Sequence, residues 1–173
     1  LAIEKLSAPR GQRVAINHES SYSGCLALKR WISLMEKPGA VFSKVITTGS
    51  HRESVRAVTT GLADIAAIDC ISWALARRFD STALSLKVVA RTDDRPGLPL
   101  ITSMGSSPSM LDGLRVALNE AVTILDPTSR DVLGITAFVV AHKHDYDIID
   151  HDWQEFGDTA LVSDHPYDVV DRG

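Results

Sequence analysis

"RVAINHESSYSGCLALKRWISLME", residues 13 to 36, decides the architecture, because its hydrophobic period changes once and at one place. "RVAIN" (13–17) is a short apolar run that reads as a buried strand, and "GCLALKRWISLME" (24–36) has apolar residues at helical spacing. Between them Ser20, Ser21, Tyr22 and Ser23 crowd their hydroxyls where the strand gives way to the helix, and Gly24 stands at the helix mouth. "KPG" (37–39) is a stop of the kind Pro and Gly impose. The stretch is one strand-helix unit with a polar turn at its junction.

The same unit recurs. "FSKVITTG" (42–49) alternates as a strand, Ser50 and Glu53 have the spacing of a capping box, and "RESVRAVTT" (52–60) carries a helix that Gly61 closes. "ADIAAID" (63–69) is a nearly continuous apolar run ending in Asp, as expected of a strand buried on both faces, and "CISWALARRF" (70–79) has helical spacing. Strands alternating with helices predict a parallel sheet and an α/β fold.

After that the pattern changes. "LKVVARTDD" (86–94) reads as a fourth strand broken by "RPGLP" (95–99), and "LITS" (100–103) as a short extended piece, together a crossover. Ser107 followed by Pro108 predicts a helix start, with "MLDGLRVALNEAVTIL" (110–125) helical until "DP" (126–127). A further helix is expected through "SRDVLGITAFVVAHKH" (129–144), and the acidic tail from Asp145 is expected to be helical around "DHDWQEFG" (150–157).

Composition bounds the function. The chain has 173 residues, 45% of them hydrophobic, which suffices for a globular core. A formal charge of −4 with scattered basic residues gives no footprint for a nucleic-acid backbone or an anionic membrane. Cys25 and Cys70 are too few for a disulfide framework. No apolar segment approaches the length of a membrane span, and the opening "LAIEKLSAPRG" has neither a hydrophobic signal core nor an initiating Met, so a processed or truncated piece is expected.

In a parallel sheet the carboxyl ends of the strands line one edge, where ligands bind. Ser20 to Gly24, then Thr47 to His51, then Asp69 would meet on that edge. A helix N-terminus exposes unpaired N–H groups and partial positive charge, and hydroxyls beside it add donors, a combination suited to a tetrahedral oxyanion. Gly24 leaves room, His51 adds a donor, and an ionised Asp69, acceptor only, would take the proton of a mono-protonated phosphoryl group. Structural roles stand beside these: Ser23 and Ser50 as helix caps, Asp69 as the cap of the 70–79 helix. Two other chemistries are open. Cys25 at a helix N-terminus could join His51 and Asp69 in nucleophilic catalysis, and "HKHDYDIIDHD" (142–152) offers His142, His144 and His151 to a metal, although its spacing fits no closed zinc pattern.

"GQRVAINHESSYSGCLALK", "TTGSHRESVRAVTTGLADIAAID" and "PGLPLITS" together resemble, in order and spacing over roughly residues 10 to 105, the phosphate, phosphite and phosphonate substrate-binding proteins of ABC transporters. The resemblance implies a type II periplasmic-binding fold with two lobes, one a Rossmann-like parallel-sheet lobe. Residues 10–87 would form the second ligand-binding lobe, 88–105 the hinge strands, and 106–173 the C-terminal, mostly helical part of the first lobe. It implies binding of phosphate, phosphite or a small phosphonate without catalysis, no cofactor and no metal, through Ser21, Tyr22, Ser23 and His51, with Asp69 as acceptor. The implied partner is a membrane permease, and the full-length protein would be periplasmic, or extracytoplasmic and lipid-anchored. Two departures matter. The family's chains begin with about a hundred residues more, in keeping with the size of two lobes, and their absence would expose edges that invite self-association. Tyr22 stands where a smaller hydroxyl residue is expected, which narrows the pocket or adds a stacking face.

Overall fold

A computed structural model describes residues 11–35 and 41–162, so the "KPG" stop falls outside the described residues. In chain order the elements are β1 (Gln12–Ile16), a π-helical turn (Tyr22–Leu26) running into α1 (Ala27–Ser33), β2 (Phe42–Thr47), α2 (His51–Thr59), β3 (Ile65–Ala66) and α3 (Cys70–Phe79). A 3-10 turn (Ser81–Ser85) follows, then α4 (Pro108–Ile124), α5 (Pro127–Leu133), a second 3-10 turn (Lys143–Tyr146) and α6 (Asp147–Phe156). The chain divides into two compact units. One comprises the chain before Pro96 together with the chain after Asp147, and the other is Pro96–Asp147.

The first unit is built on a parallel sheet ordered β2-β1-β3. β1 is central, with Val14 opposite Val45 on one side and Ile65 on the other. Side chains alternate across a strand, and β1 uses the alternation fully. Val14 and Ile16 join Cys25, Leu28, Ile32, Val41, Phe42 and Leu161 in one core, while Ala15 meets Ala57 and Ala63 on the opposite face. Helix α1 therefore covers one face and α2 the other, which is why the run reads as continuously apolar. Going from β1 out to β2 and back past β1 to β3 reverses the winding, so the switch point falls between β1 and β3.

β3 is shorter than the expected 63–69 strand: only Ile65 and Ala66 pair in the ladder. A clamp holds its start, where Arg13 gives Asp64 three hydrogen bonds, from its backbone N–H (2.8 Å), Nε (3.0 Å) and Nη2 (2.6 Å). Asp69 ends the run by capping α3, its Oδ1 accepting from the Ser72 N–H at 2.7 Å. Residues 86–94, expected as a strand, form none, and 100–103 pair with no strand among the described residues. After α6 the chain returns to the sheet, where the Phe42 N–H donates to the Leu161 carbonyl at 3.0 Å and a single parallel bridge pairs Phe42 with Val162.

In the second unit the expected helix start at Ser107 is present, and the "DP" expected to end α4 also starts α5. Ser107 accepts from the Met110 N–H at 3.2 Å with Pro108 in the first turn, and Asp126 accepts from the Ser129 N–H at 3.0 Å. The helix expected over 129–144 is cut short: α5 stops at Leu133, where Gly134 takes φ 66°, a left-handed C-terminal cap. Beyond it the Asn119 amide brackets the Phe138 peptide, accepting its N–H at 3.1 Å and donating to its carbonyl at 3.2 Å, which holds that segment extended. The expected helix in the acidic tail is α6. Among the described residues Val122 is the buried hydrophobic side chain of this unit, while Leu98, Ile101, Met104 and Val139 are almost fully exposed.

Candidate functional site

The switch point brings three loops together. The Thr48 N–H donates to the Ile16 carbonyl at 2.9 Å, its hydroxyl to the same carbonyl at 3.0 Å, and the Gly49 N–H to the Asn17 carbonyl at 2.9 Å. The end of β2 is thereby tied to the end of β1. Gly49 sits at φ 87°, a conformation other residues rarely adopt, and turns the chain so that Ser50 caps α2 by accepting from the Glu53 N–H at 3.2 Å. His51 opens α2 as a result.

In the turn after β1, Ser21 and not Ser23 is the cap. Its hydroxyl accepts from the Gly24 N–H at 3.2 Å, and its carbonyl accepts from Cys25 and Leu26, both at 3.1 Å. Ser23 is released for another task, and its Oγ lies 3.2 Å from His51 Nε2. Gly24 is required by space: a Cβ there would lie 1.8 Å from Asn17 Oδ1 and 3.1 Å from His51 Cε1.

Asp69 is the cap foreseen for it, and it also reaches His51. One carboxylate oxygen caps α3, and the other lies 3.1 Å from His51 Nε2. Burial pushes its pKa up, but the hydrogen bonds from Ser72 and the neighbouring His51 outweigh that and hold the carboxyl below the usual range. It is therefore ionised and acceptor-only near neutral pH.

A third group meets the same ring nitrogen. Asn17 Nδ2 is 3.4 Å from His51 Nε2, a residue the sequence reading did not select although it directly follows β1. Asp69, Ser23 and Asn17 thus converge on one atom that has one hydrogen-bonding direction. An ionised carboxylate only accepts, so it selects the tautomer whose Nε2–H donates to it; in that tautomer Nε2 accepts from neither Ser23 nor Asn17, and both keep hydrogens to donate. Asn17 Oδ1 and His51 Nδ1 are also buried without a hydrogen-bond partner among the described residues. The arrangement is rich in polar capacity that its own members do not use.

Tyr22 is not part of this cluster's hydrogen bonding. Its hydroxyl donates to Asp152 of α6, and burial together with that bond pushes the phenol up to about 12. Asp152 is 1% exposed and accepts from Arg95 Nε at 2.8 Å and Nη2 at 3.3 Å, with Arg30 Nε at 3.4 Å. This second network was not legible in the sequence, where Asp152 is one carboxylate in an acidic stretch.

The rival chemistries lack their geometry. Cys25 is buried in the α1 core and burial pushes its thiol up, whereas a nucleophile needs the opposite. Among the described residues no group of three or more His, Cys, Asp or Glu side chains is placed to hold a metal, and His142 stacks on His144 at 5.3 Å. No described helix is long and apolar enough to cross a membrane. A concavity of about 400 Å³ beside Ile46, Thr48, Glu53 and Arg56 shares no lining residue with the His51 cluster.

The family described as "ABC transporter, phosphonate, periplasmic substrate-binding protein" matches residues 2–146, and no curated protein gives a match. The match takes in β1, the turn after it, α2, Asp69 and the second unit up to Tyr146, and it stops just before α6. The chain belongs to the phosphonate-binding periplasmic substrate-binding proteins of ABC transporters.

Proposed function

We infer that this chain is the solute-binding component of an importer, taking phosphate, phosphite or a small phosphonate without chemical change. One observation carries the reading: Asp69, Ser23 and Asn17 all converge on Nε2 of His51, at the carboxyl edge of the β1–β3 switch point. The ligand's oxygens would accept from Ser23 and Asn17, with the start of the π-helical turn after Ser21 adding positive backbone dipole. Asp69 would accept a proton the ligand carries. A carboxylate facing the site then discriminates against an oxyanion without a proton, and sulfate near neutral pH is one.

The same geometry weighs against Ser-His-Asp catalysis. A relay uses both ring nitrogens, the base on one and the carboxylate on the other. Here Ser23 and Asp69 share Nε2 and Nδ1 has no partner among the described residues, so orientation and proton abstraction are not divided between the two nitrogens.

In this reading residues 10–87 form the second ligand-binding lobe of a type II periplasmic-binding fold and 88–105 the crossover. A membrane permease is the partner and the full-length protein works outside the cytoplasm, as the family implies. Nucleic acid plays no part. Exposed apolar side chains such as Leu98, Ile101 and Met104 favour self-association.

The test is isothermal titration of this chain with phosphate, phosphite, methylphosphonate and 2-aminoethylphosphonate, with sulfate as control. Saturable binding of a phosphorus oxyanion and not of sulfate is expected. His51→Ala and Ser23→Ala should each weaken it about tenfold or more, since a hydrogen bond to a charged group is worth about 1.5–3 kcal/mol. Asp69→Asn should reduce the preference for protonated ligands, read as a flatter dependence of affinity on pH. Variants that bind like the parent would overturn the site.

A further inference from the structure

Neighbouring side chains of one turn are anchored to different elements. Ser21 caps the turn, Tyr22 reaches Asp152 on α6, and Ser23 reaches His51 on α2. The turn is gripped from two sides. On the α6 side the grip ends on a carboxylate that is 1% exposed, held by two nitrogens of Arg95, with Arg30 beside it and Arg30 in turn paired with Asp93 at 2.7 Å. Burying a carboxylate with its partners is a poor way to gain stability, because desolvation offsets much of the Coulombic attraction. Such a group does fix one arrangement among several, since any other leaves a charge buried and unpaired.

The network also joins positions 22, 95 and 152, and the last lies outside the stretch matched by the family. Residues around it attach α6 and the chain after it to α1 independently. Lys29 Nζ donates to the Gly157 carbonyl at 2.5 Å, Ser33 Oγ lies 2.9 Å from Thr159 Oγ1, and the Arg30 guanidinium stands 5.8 Å over the Phe156 ring. Docking of α6 therefore does not depend on Tyr22, and the Tyr22–Asp152 bond is free to serve the turn.

We propose that Asp152 is a positioning residue for the oxyanion site: through the Tyr22 hydroxyl it sets the backbone of the Ser21–Gly24 turn, so that Ser23 faces His51. This rests on the site assignment given above. Asp152 touches no ligand and acts through Tyr22.

The test reads the ligand-free site and the affinity separately. Tyr22→Phe removes the hydroxyl and keeps the ring, Asp152→Asn removes the charge and keeps the shape, and Ser33→Ala cuts a tether between α1 and Thr159 without touching Tyr22. For each, the Gly24 amide and His51 ring resonances are recorded without ligand, and methylphosphonate is then titrated. Tyr22→Phe should keep its far-ultraviolet circular dichroism while the Gly24 and His51 resonances shift and the dissociation constant rises about tenfold. Asp152→Asn should do the same, and where it fails to fold Tyr22→Phe decides alone. Ser33→Ala should leave both readouts at the parent's values. Unmoved resonances in Tyr22→Phe, unchanged affinity where the parent binds, or an equal effect from Ser33→Ala would each overturn the proposal. If the parent binds no phosphorus oxyanion, the transport reading falls, and the resonances alone still decide the positioning role.

Discussion

Gly24 and the amide of Asn17 compete for the same space. The sequence shows a glycine at a helix mouth, and the inference that it leaves room is sound, but the room goes to Asn17 and not directly to a ligand. That relation was hidden because it spans a turn whose π-helical path has no periodic signature. Gly24→Ala should therefore push Asn17 aside, costing about 1–3 kcal/mol of stability through overpacking and weakening oxyanion binding as well. Thermal unfolding and titration check the two effects. Adding Asn17→Ala should recover the stability and not the binding, whereas recovery of both would remove Asn17 from the site. Asp69 and His51 were readable at this scale because a strand end and a helix start have side-chain chemistry of their own. Tyr22 was legible as a member of the turn, but nothing near it in sequence reveals a partner 130 positions away.

At the level of elements, β3 shows how little ladder a strand needs when its entry is fixed. Arg13 and Asp64 join the start of β1 to the approach of β3, and those hydrogen bonds hold the Asp64 carboxyl down at about 2, from an ordinary 3.8. A depressed pKa contributes stability that is complete above the unfolded value and disappears as pH falls through the folded one. Acid should thus loosen β3 between about pH 4 and pH 2. Unfolding temperatures measured across that window should fall less steeply for Asp64→Asn than for the parent, and parallel slopes would deny the clamp its role. The elements legible in the sequence include β1, β2, α1, α2, α3, α4 and α6, and the clearest are those with a period plus an end signal, such as Ser50, Asp69 or Ser107. The misread ones had period without context. Residues 86–94 have a strand's composition and pair with no strand among the described residues, and Gly134 inside 129–144 reads as a tolerable interruption until its positive φ ends the helix.

At the scale of the molecule, the two units differ in how much they bury. The sheet unit has a core on both faces of β1, whereas within Pro96–Asp147 the large apolar side chains Leu98, Met104, Ile124 and Val139 lie open. Local stability follows buried apolar contact. Amide hydrogen exchange should therefore be faster over 108–133 than over 12–16 and 42–47, measured by mass spectrometry on the same sample. Equal protection would mean that another surface covers the helices. The parallel sheet was legible because alternation of strands and helices leaves few other topologies, but the return of α6 to it was not. That return has a consequence for biosynthesis. Leu161, which helps close the core beside Phe42, is made only after all of Pro96–Asp147. At ~5–20 residues per second, the ribosome leaves one side of that core waiting for several seconds. A holding chaperone would find the nascent chain most receptive in that interval, and a stalled ribosome would leave Phe42 on offer to the nearest apolar surface.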